Sequence, residues 1–120
     1  MNKRAVGDTR ELLACRYLTE NGVKILHRNY RCRGGEVDII AKDGDYLCFI
    51  EVKFRTDDRF GAPEEAVDFR KQKHICKVSK FYLYSNYKSF DIPIRYDVVA
   101  VSQKDSIFEF KWIKNAFYYA

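Results

Sequence analysis

The chain has four cysteines and two histidines, and neither type is arranged to hold a metal. Cys15, Cys32, Cys48 and Cys76 are scattered with no C-x-x-C pair, and His27 and His74 stand far apart, a pattern that argues against a zinc site. There is no Gly-rich phosphate loop and no Ser/His/Asp grouping, so P-loop and triad chemistries find no support. No apolar run approaches membrane-spanning length, and the opening "MNKRAVGDTRELLACRYL" is charged and amphipathic, unlike the continuous apolar core of a signal peptide. Cys48 shares strand parity with Ile50 and Val52, and Cys15 sits among Leu12, Leu13 and Leu18, which predicts buried free thiols. Together these features predict a soluble protein of the reducing cytoplasm with no membrane partner. Repeats, linkers and low-complexity tracts are also lacking, so residues 1–120 are read as one domain.

What is present is a core and an excess of positive charge. The composition is 47% hydrophobic and 16% aromatic, enough to fold without staples. Lys and Arg number 22 against 17 Asp and Glu, a net charge of +5 that suits a polyanionic partner such as nucleic acid.

Helical spacing of Leu12, Leu13, Ala14 and Leu18 predicts a first helix over residues 8–21, with Asp8 as N-cap and a stop at Glu20-Asn21-Gly22. Three strands follow, over 23–32, 36–42 and 46–55, the last two joined through "KDGD", a hairpin signal. Residues 56–62 read as loop, and Pro63 with Glu64 and Glu65 opens a second helix to about residue 85, with Ile75, Val78, Phe81 and Tyr82 facing inward. A fourth strand covers "IPIRYDVVAV", and a fifth covers "SIFEFKWI", with Phe108, Phe110 and Trp112 on one face. The predicted order is α-β-β-β-α-β-β.

The stretch "GEVDIIAKDGDYLCFIEVKFR" (residues 35–55) carries the chemistry. A two-residue strand period sets Glu36 and Asp38 on one face and Val37, Ile39 and Ala41 on the other; Glu51 and Lys53 likewise share a face. An Asp43-Gly44 loop would put Glu36 opposite Glu51, whereas a Gly44-Asp45 loop would put Asp38 there. Three carboxylates around one lysine repel one another, and a divalent cation would relieve that. Mg²⁺ takes one or two carboxylates with waters and phosphate oxygens, which Asp38 and Glu51 can offer. Lys53 could then orient or deprotonate an attacking water, or hold a phosphate oxygen. The competing reading is a solvated face of alternating charge, but an E-x-K inside the apolar run "LCFIEVKF" marks a central strand, where such a face is out of place.

Further cations flank this stretch. Arg70, Lys73, Lys77 and Lys80 recur every three or four residues as one basic stripe, a solvated helix face or a phosphate-binding one. Arg31 and Arg33 share a face if their strand is regular and could grip a phosphodiester, or else pair with the surplus acids; Gly34-Gly35 would let the backbone approach a ligand. Asp8 and Glu11 have capping-box spacing. Asp97 is read as structural, paired with an arginine.

The acids and lysine resemble the PD-(D/E)xK nuclease motif, with Asp38 as first acid and Glu51-Val52-Lys53 as the second element; Val37 stands where the motif's name has Pro. More broadly, "GDTRELLACRYL", "NYRCRGGEVDIIAKDGDYLCFIEVKFR", "AVDFRKQKHI", "RYDVVAV" and "WIKNAF" make the chain similar to the YraN-like family of small bacterial proteins, related to archaeal Holliday junction resolvases. The resemblance implies an α/β restriction-endonuclease-like fold: a mixed five-stranded sheet with one helix on each side. It implies a Mg²⁺- or Mn²⁺-dependent endonuclease acting on DNA, branched or flapped structures among its substrates. Asp38 and Glu51 would hold the metal with the Val52 carbonyl, Glu36 and Glu11 would be second-rank ligands, Lys53 would serve the attacking water, and Gln72 would lie near the site. The alternatives are a non-catalytic nucleic-acid-binding module of the same fold and an assembly domain whose edge strand pairs with a partner, a homodimer included.

Overall fold

In a computed structural model of the protein, the residues described are 3–55, 67–89 and 91–118. They form α1 (Lys3–Glu20), β1 (Lys24–Cys32), β2 (Gly35–Asp43), β3 (Tyr46–Arg55), α2 (Phe69–Asn86), β4 (Ile94–Lys104) and β5 (Ile107–Phe117). The strands make one sheet in the order β1-β2-β3-β4-β5. Every neighbouring pair is antiparallel except β3 and β4, which run parallel and are joined through α2. The sheet is therefore mixed and five-stranded, in the α-β-β-β-α-β-β order expected of a restriction-endonuclease-like domain.

α1 begins at Lys3, so Asp8 lies inside the helix and is not its N-cap. Lys3, Arg4 and Ala5 are good helix formers, and they carry the helix back past the predicted start. The capping box expected between Asp8 and Glu11 is thus not at a helix start. The C-terminus closes as predicted: the Val23 N–H donates to the Leu18 carbonyl and the Gly22 N–H to that of Thr19, both at 3.0 Å, which is a Schellman cap. Pro63, Glu64 and Glu65 lie outside the described residues. α2 opens at Phe69, with Asp68 as N-cap accepting the Lys71 N–H at 2.8 Å.

The sheet separates two apolar cores. On one side Ile75, Val78 and Tyr82 of α2 pack on Val37, Ile40, Leu47, Phe49 and Val98. On the other, Ala14, Cys15 and Leu18 of α1 pack on Ile39, Ala41, Cys48, Ile50, Val99 and Val101. The helices thus lie on opposite faces, as expected. Phe81, predicted to face inward, is 49% exposed, because a helix turns about 100° per residue and the buried stripe is already filled by Tyr82 beside it. Cys15 and Cys48 are buried free thiols, and burial pushes the Cys48 thiol up to about 12. Phe110 of β5 stacks on Tyr17 at 4.7 Å.

Asp97 is fully buried and structural, as expected. It accepts from Arg95 Nε at 3.0 Å, Trp112 Nε1 at 2.9 Å and the Asn115 N–H at 3.0 Å, while Arg95 Nη2 also reaches Asp43 Oδ2 at 2.8 Å. This network ties β2, β4 and β5 together at the end of the sheet that carries the β2–β3 hairpin. Among the described residues no helix is long and apolar enough to cross a membrane.

Candidate active site

The hairpin register decides which acids meet. Asp43 pairs with Tyr46, leaving Gly44-Asp45 as the loop, and Gly44 has φ +60° while Asp45 does not adopt a positive φ, as a type II′ turn requires. Of the two registers the sequence allows, this is the one that sets Asp38 opposite Glu51. The regular ladder ends one step earlier, at Ile39–Ile50. Beyond it the Asp38 carboxylate takes over a backbone donor: the Val52 N–H donates to Asp38 Oδ2 at 2.9 Å.

Asp38 also marks a break in the strand's alternation. Val37 packs in the α2-side core but Ile39 and Ala41 pack in the α1-side core, so the expected shared face of Val37, Ile39 and Ala41 does not form. The irregularity spans both strands: in β1 Asn29 adopts φ +52°, and the pairing passes from Arg28–Ile39 to Tyr30–Val37 without an Asn29–Asp38 pair. β3 keeps its alternation: Leu47 and Phe49 turn to α2, while Cys48, Ile50, Val52 and Phe54 turn to α1.

Where β2 and β3 part there is a recess of about 260 Å³, lined by Arg10 and Glu11 from α1, Asp38 from β2, and Glu51, Val52 and Phe54 from β3. The helix acid and both motif acids therefore share one cavity. Glu51 is only 4% exposed. Its Oε1 lies 3.5 Å from Lys71 Nζ, and among the described residues its Oε2 has no hydrogen-bond partner. Burial, and then the charge of Asp38, push the Glu51 carboxyl up to about 8 against the opposing pull of Lys71 and Lys53. Lys53, half-buried, shares the Glu51 face by strand parity. Among the described residues no three His, Cys, Asp or Glu side chains stand close enough to cage an ion by themselves.

The remaining predicted residues lie around this recess. Glu36 is not on its wall; it pairs with Arg31 directly across the β1–β2 ladder, Nε to Oε2 at 2.9 Å. β1 ends at Cys32, so Arg33 sits in the turn and does not share a strand face with Arg31. That turn packs on α2: a Cβ on Gly34 would lie 3.2 Å from Lys77 Cβ. The Arg33 turn and the α2 stripe, separate in sequence, are thereby neighbours, and Arg70, Lys73, Lys77 and Lys80 are all exposed. Gln72 Nε2 donates to the Val67 carbonyl at 2.9 Å, bracing the start of α2.

Three site residues escaped the sequence reading. Arg10 lies over the Phe54 ring at 4.0 Å from its centroid, at the recess wall. Nothing in the spacing singles out either residue. Lys71 did carry a signal: with Ile75, Val78 and Tyr82 it falls on the apolar helix face, where a cation needs a buried partner, and that partner is Glu51.

The pattern of the Uncharacterised protein family UPF0102 matches residues 10–101, a span that holds Glu11, Asp38, Glu51 and Lys53. A UPF0102 protein of Lachnoclostridium phytofermentans is 47% identical over 117 residues, covering 98% of this chain and 96% of its own. Others from Carboxydothermus hydrogenoformans and Syntrophus aciditrophicus are 45% and 49% identical, covering 90% and 92% of this chain and 91% and 87% of their own. The chain therefore belongs to the Uncharacterised protein family UPF0102, the YraN-like group that its motifs resemble.

Proposed function

We propose that the recess is the active site of a Mg²⁺- or Mn²⁺-dependent endonuclease that hydrolyses phosphodiester bonds in DNA, with branched or flapped structures as substrates. The observation that carries this reading is Glu51: an acid buried in a central strand, opposite Asp38, with an oxygen that no described residue satisfies. A buried, unsatisfied carboxylate oxygen costs stability unless something else uses it. A hard divalent cation fits this donor set, since Mg²⁺ binds through one or two carboxylates and keeps waters and substrate oxygens for the rest. Asp38 and Glu51 would hold it with the Val52 carbonyl, Glu11 from α1 would stand further back on the recess wall and act through a water, and Glu36 is already engaged by Arg31. The ion, when bound, supplies Lewis-acid stabilisation of charge on the phosphoryl group.

The chain's own residues do the rest. Lys53 orients the attacking water or holds a non-bridging phosphate oxygen beside the acids. Arg10, held over the Phe54 ring, presents guanidinium N–H groups to a phosphate entering the recess. Arg33 and the α2 stripe hold flanking phosphates. The four free cysteines suit a reducing, cytoplasmic setting.

Calorimetric titration of Mn²⁺ into the wild type, Asp38→Asn and Lys53→Ala tests the reading, together with labelled linear, nicked, flap, fork and four-way-junction DNA. The wild type should bind Mn²⁺ and cleave; Asp38→Asn should lose both; Lys53→Ala should bind the ion and lose cleavage. Absence of metal heat in the wild type, with and without nucleic acid, removes the nuclease. The basic α2 face would then favour the second reading, a binding module without turnover.

A further inference from the structure

The outer face of α2 is more than a row of cations. Phe69 is 59% exposed, Phe81 49% and Tyr84 69%, and each ring stands four residues from a lysine: Phe69 before Lys73, Phe81 after Lys77, Tyr84 after Lys80. Residues four apart on a helix are neighbours on one face, and Lys73 Nζ already lies 4.7 Å from the Phe69 ring centroid. α2 itself contains no acidic residue. The face therefore alternates positive charge and bare aromatic surface from Phe69 to Tyr84, roughly 22 Å of helix. At its start, the first turn of α2 brings Lys71 onto Glu51 of the recess.

We propose that this face binds single-stranded nucleic acid, with phosphates on Lys73, Lys77 and Lys80 and bases stacked on Phe69, Phe81 and Tyr84. The substrate of the neighbouring recess then carries a single-stranded arm that runs along α2. This rests on the nucleic-acid half of the proposed function and not on turnover. The rings discriminate between the two forms of DNA. In a duplex the base faces are hidden in the stack, so a protein tracking its backbone meets it with charge and hydrogen-bond donors and has no use for exposed ring faces. In a single strand every base offers a face, and aromatic side chains interleaved with a basic track are what such ligands stack upon.

Fluorescence anisotropy of labelled oligothymidine and of a duplex of equal length, in chelator and at several salt concentrations, tests this. The variants are Phe81→Leu/Tyr84→Leu, which keeps apolar bulk without rings, and Lys73→Ala/Lys77→Ala/Lys80→Ala. The expected result is tighter binding of the single strand by the wild type. The ring variant should lose about tenfold or more on the single strand with its salt slope intact and change little on the duplex, while the lysine variant should flatten the slope on both. Thermal melting of each variant checks that the exposed substitutions leave the fold intact. Equal loss on both ligands in the ring variant, or none on either, overturns the proposal. A wild type that binds Mn²⁺ and duplex but not oligothymidine overturns it too and leaves the nuclease standing, whereas a wild type that binds neither DNA overturns both.

Discussion

Glu51 concentrates the molecule's unusual energetics in one side chain. Its carboxyl is pushed up to about 8, first by burial and then by Asp38, from an ordinary value of 4.5. Below about pH 4.5 the folded and unfolded chains both keep this proton. As pH rises from there through 8, the unfolded chain releases it first, so the metal-free protein loses stability across that window, and the loss is complete above it. Thermal melting between pH 5 and pH 9, a range of about four units around this pKa, should show this decline. Glu51→Gln, which keeps the shape and removes the proton, should flatten it. Mn²⁺ at pH near 8 should raise the melting temperature of the wild type and leave that of Glu51→Gln unmoved, because an ion that binds only the folded state stabilises it by mass action.

Asp38 belongs to the same ledger of charge. Asp38→Asn retains an acceptor for the Val52 N–H at 2.9 Å but removes the negative charge beside Glu51. The metal-free variant should therefore be more stable than the wild type at neutral pH, which urea titration measures. A gain in stability together with lost Mn²⁺ binding is the signature of a ligand, because a purely structural acid would destabilise on removal.

How far the site was legible depends on the residue. Asp38, Glu51 and Lys53 stood out because charges two apart in an apolar run do not suit a central strand. The sequence offered two hairpin loops and no means of choosing, since the choice rests on the turn's dihedral angles. Glu11 was ambiguous while Asp8 passed for an N-cap, and the capping reading falls once the helix is seen to begin at Lys3. The break at Asp38 was not legible, because it coincides with a left-handed Asn29 on a neighbouring strand that no spacing within β2 announces. Arg10 and Phe54 meet only through the packing of α1 on β3, a contact that no local spacing encodes.

At the scale of elements, the β1–β2 turn couples the sheet to α2. Gly35 has φ +139°, and a Cβ there would lie 3.4 Å from His74 Cβ, so a side chain meets both backbone strain and a helix. Gly35→Ala should destabilise the protein by roughly 1–3 kcal/mol, measured by chemical denaturation. Because the turn carries Arg33 and leads into the strand of Asp38, the same change should weaken nucleic-acid binding. Element boundaries were read well where caps are local, as at Asn21-Gly22, and poorly where the helix start depends on propensity alone. Phe81 was misread for a related reason: in "SKFYLY" apolar residues outnumber inward positions, and only the helix's rotation says which one is left outside.

Over the whole molecule, with a net charge of +5, exposed cations such as Arg16, Lys24, Lys104 and Lys111 are spread over several elements, but the α2 stripe and the Arg33 turn gather Arg33, Arg70, Lys73, Lys77 and Lys80 together. Lys73→Ala/Lys77→Ala/Lys80→Ala lowers the net charge from +5 to +2, a loss of three positive charges. Its affinity for duplex DNA should fall less steeply with salt, by about 0.9 in the log-log slope for each phosphate contact removed. Association should also slow at low salt, since the field that steers a polyanion is weakened. Stopped-flow mixing at two ionic strengths measures this, and equal rates for variant and wild type would take the stripe out of the encounter surface.

The single parallel pairing in the sheet sets the order in which the chain can assemble. β1, β2 and β3 are joined by tight turns and need only local contacts, whereas Leu47 must find Ile94 and Phe54 must find Val101, with all of α2 lying between. Closing so long a loop before any contact rewards it is slow, so the three-stranded meander should form first and docking of β4 should limit the folding rate. Glu51 and Lys53 lie on the strand that bridges those two stages. In pulse-labelling hydrogen exchange, amides of β2 should be protected before those of β4 and β5, and the recess would reach its final burial only when the last strands arrive.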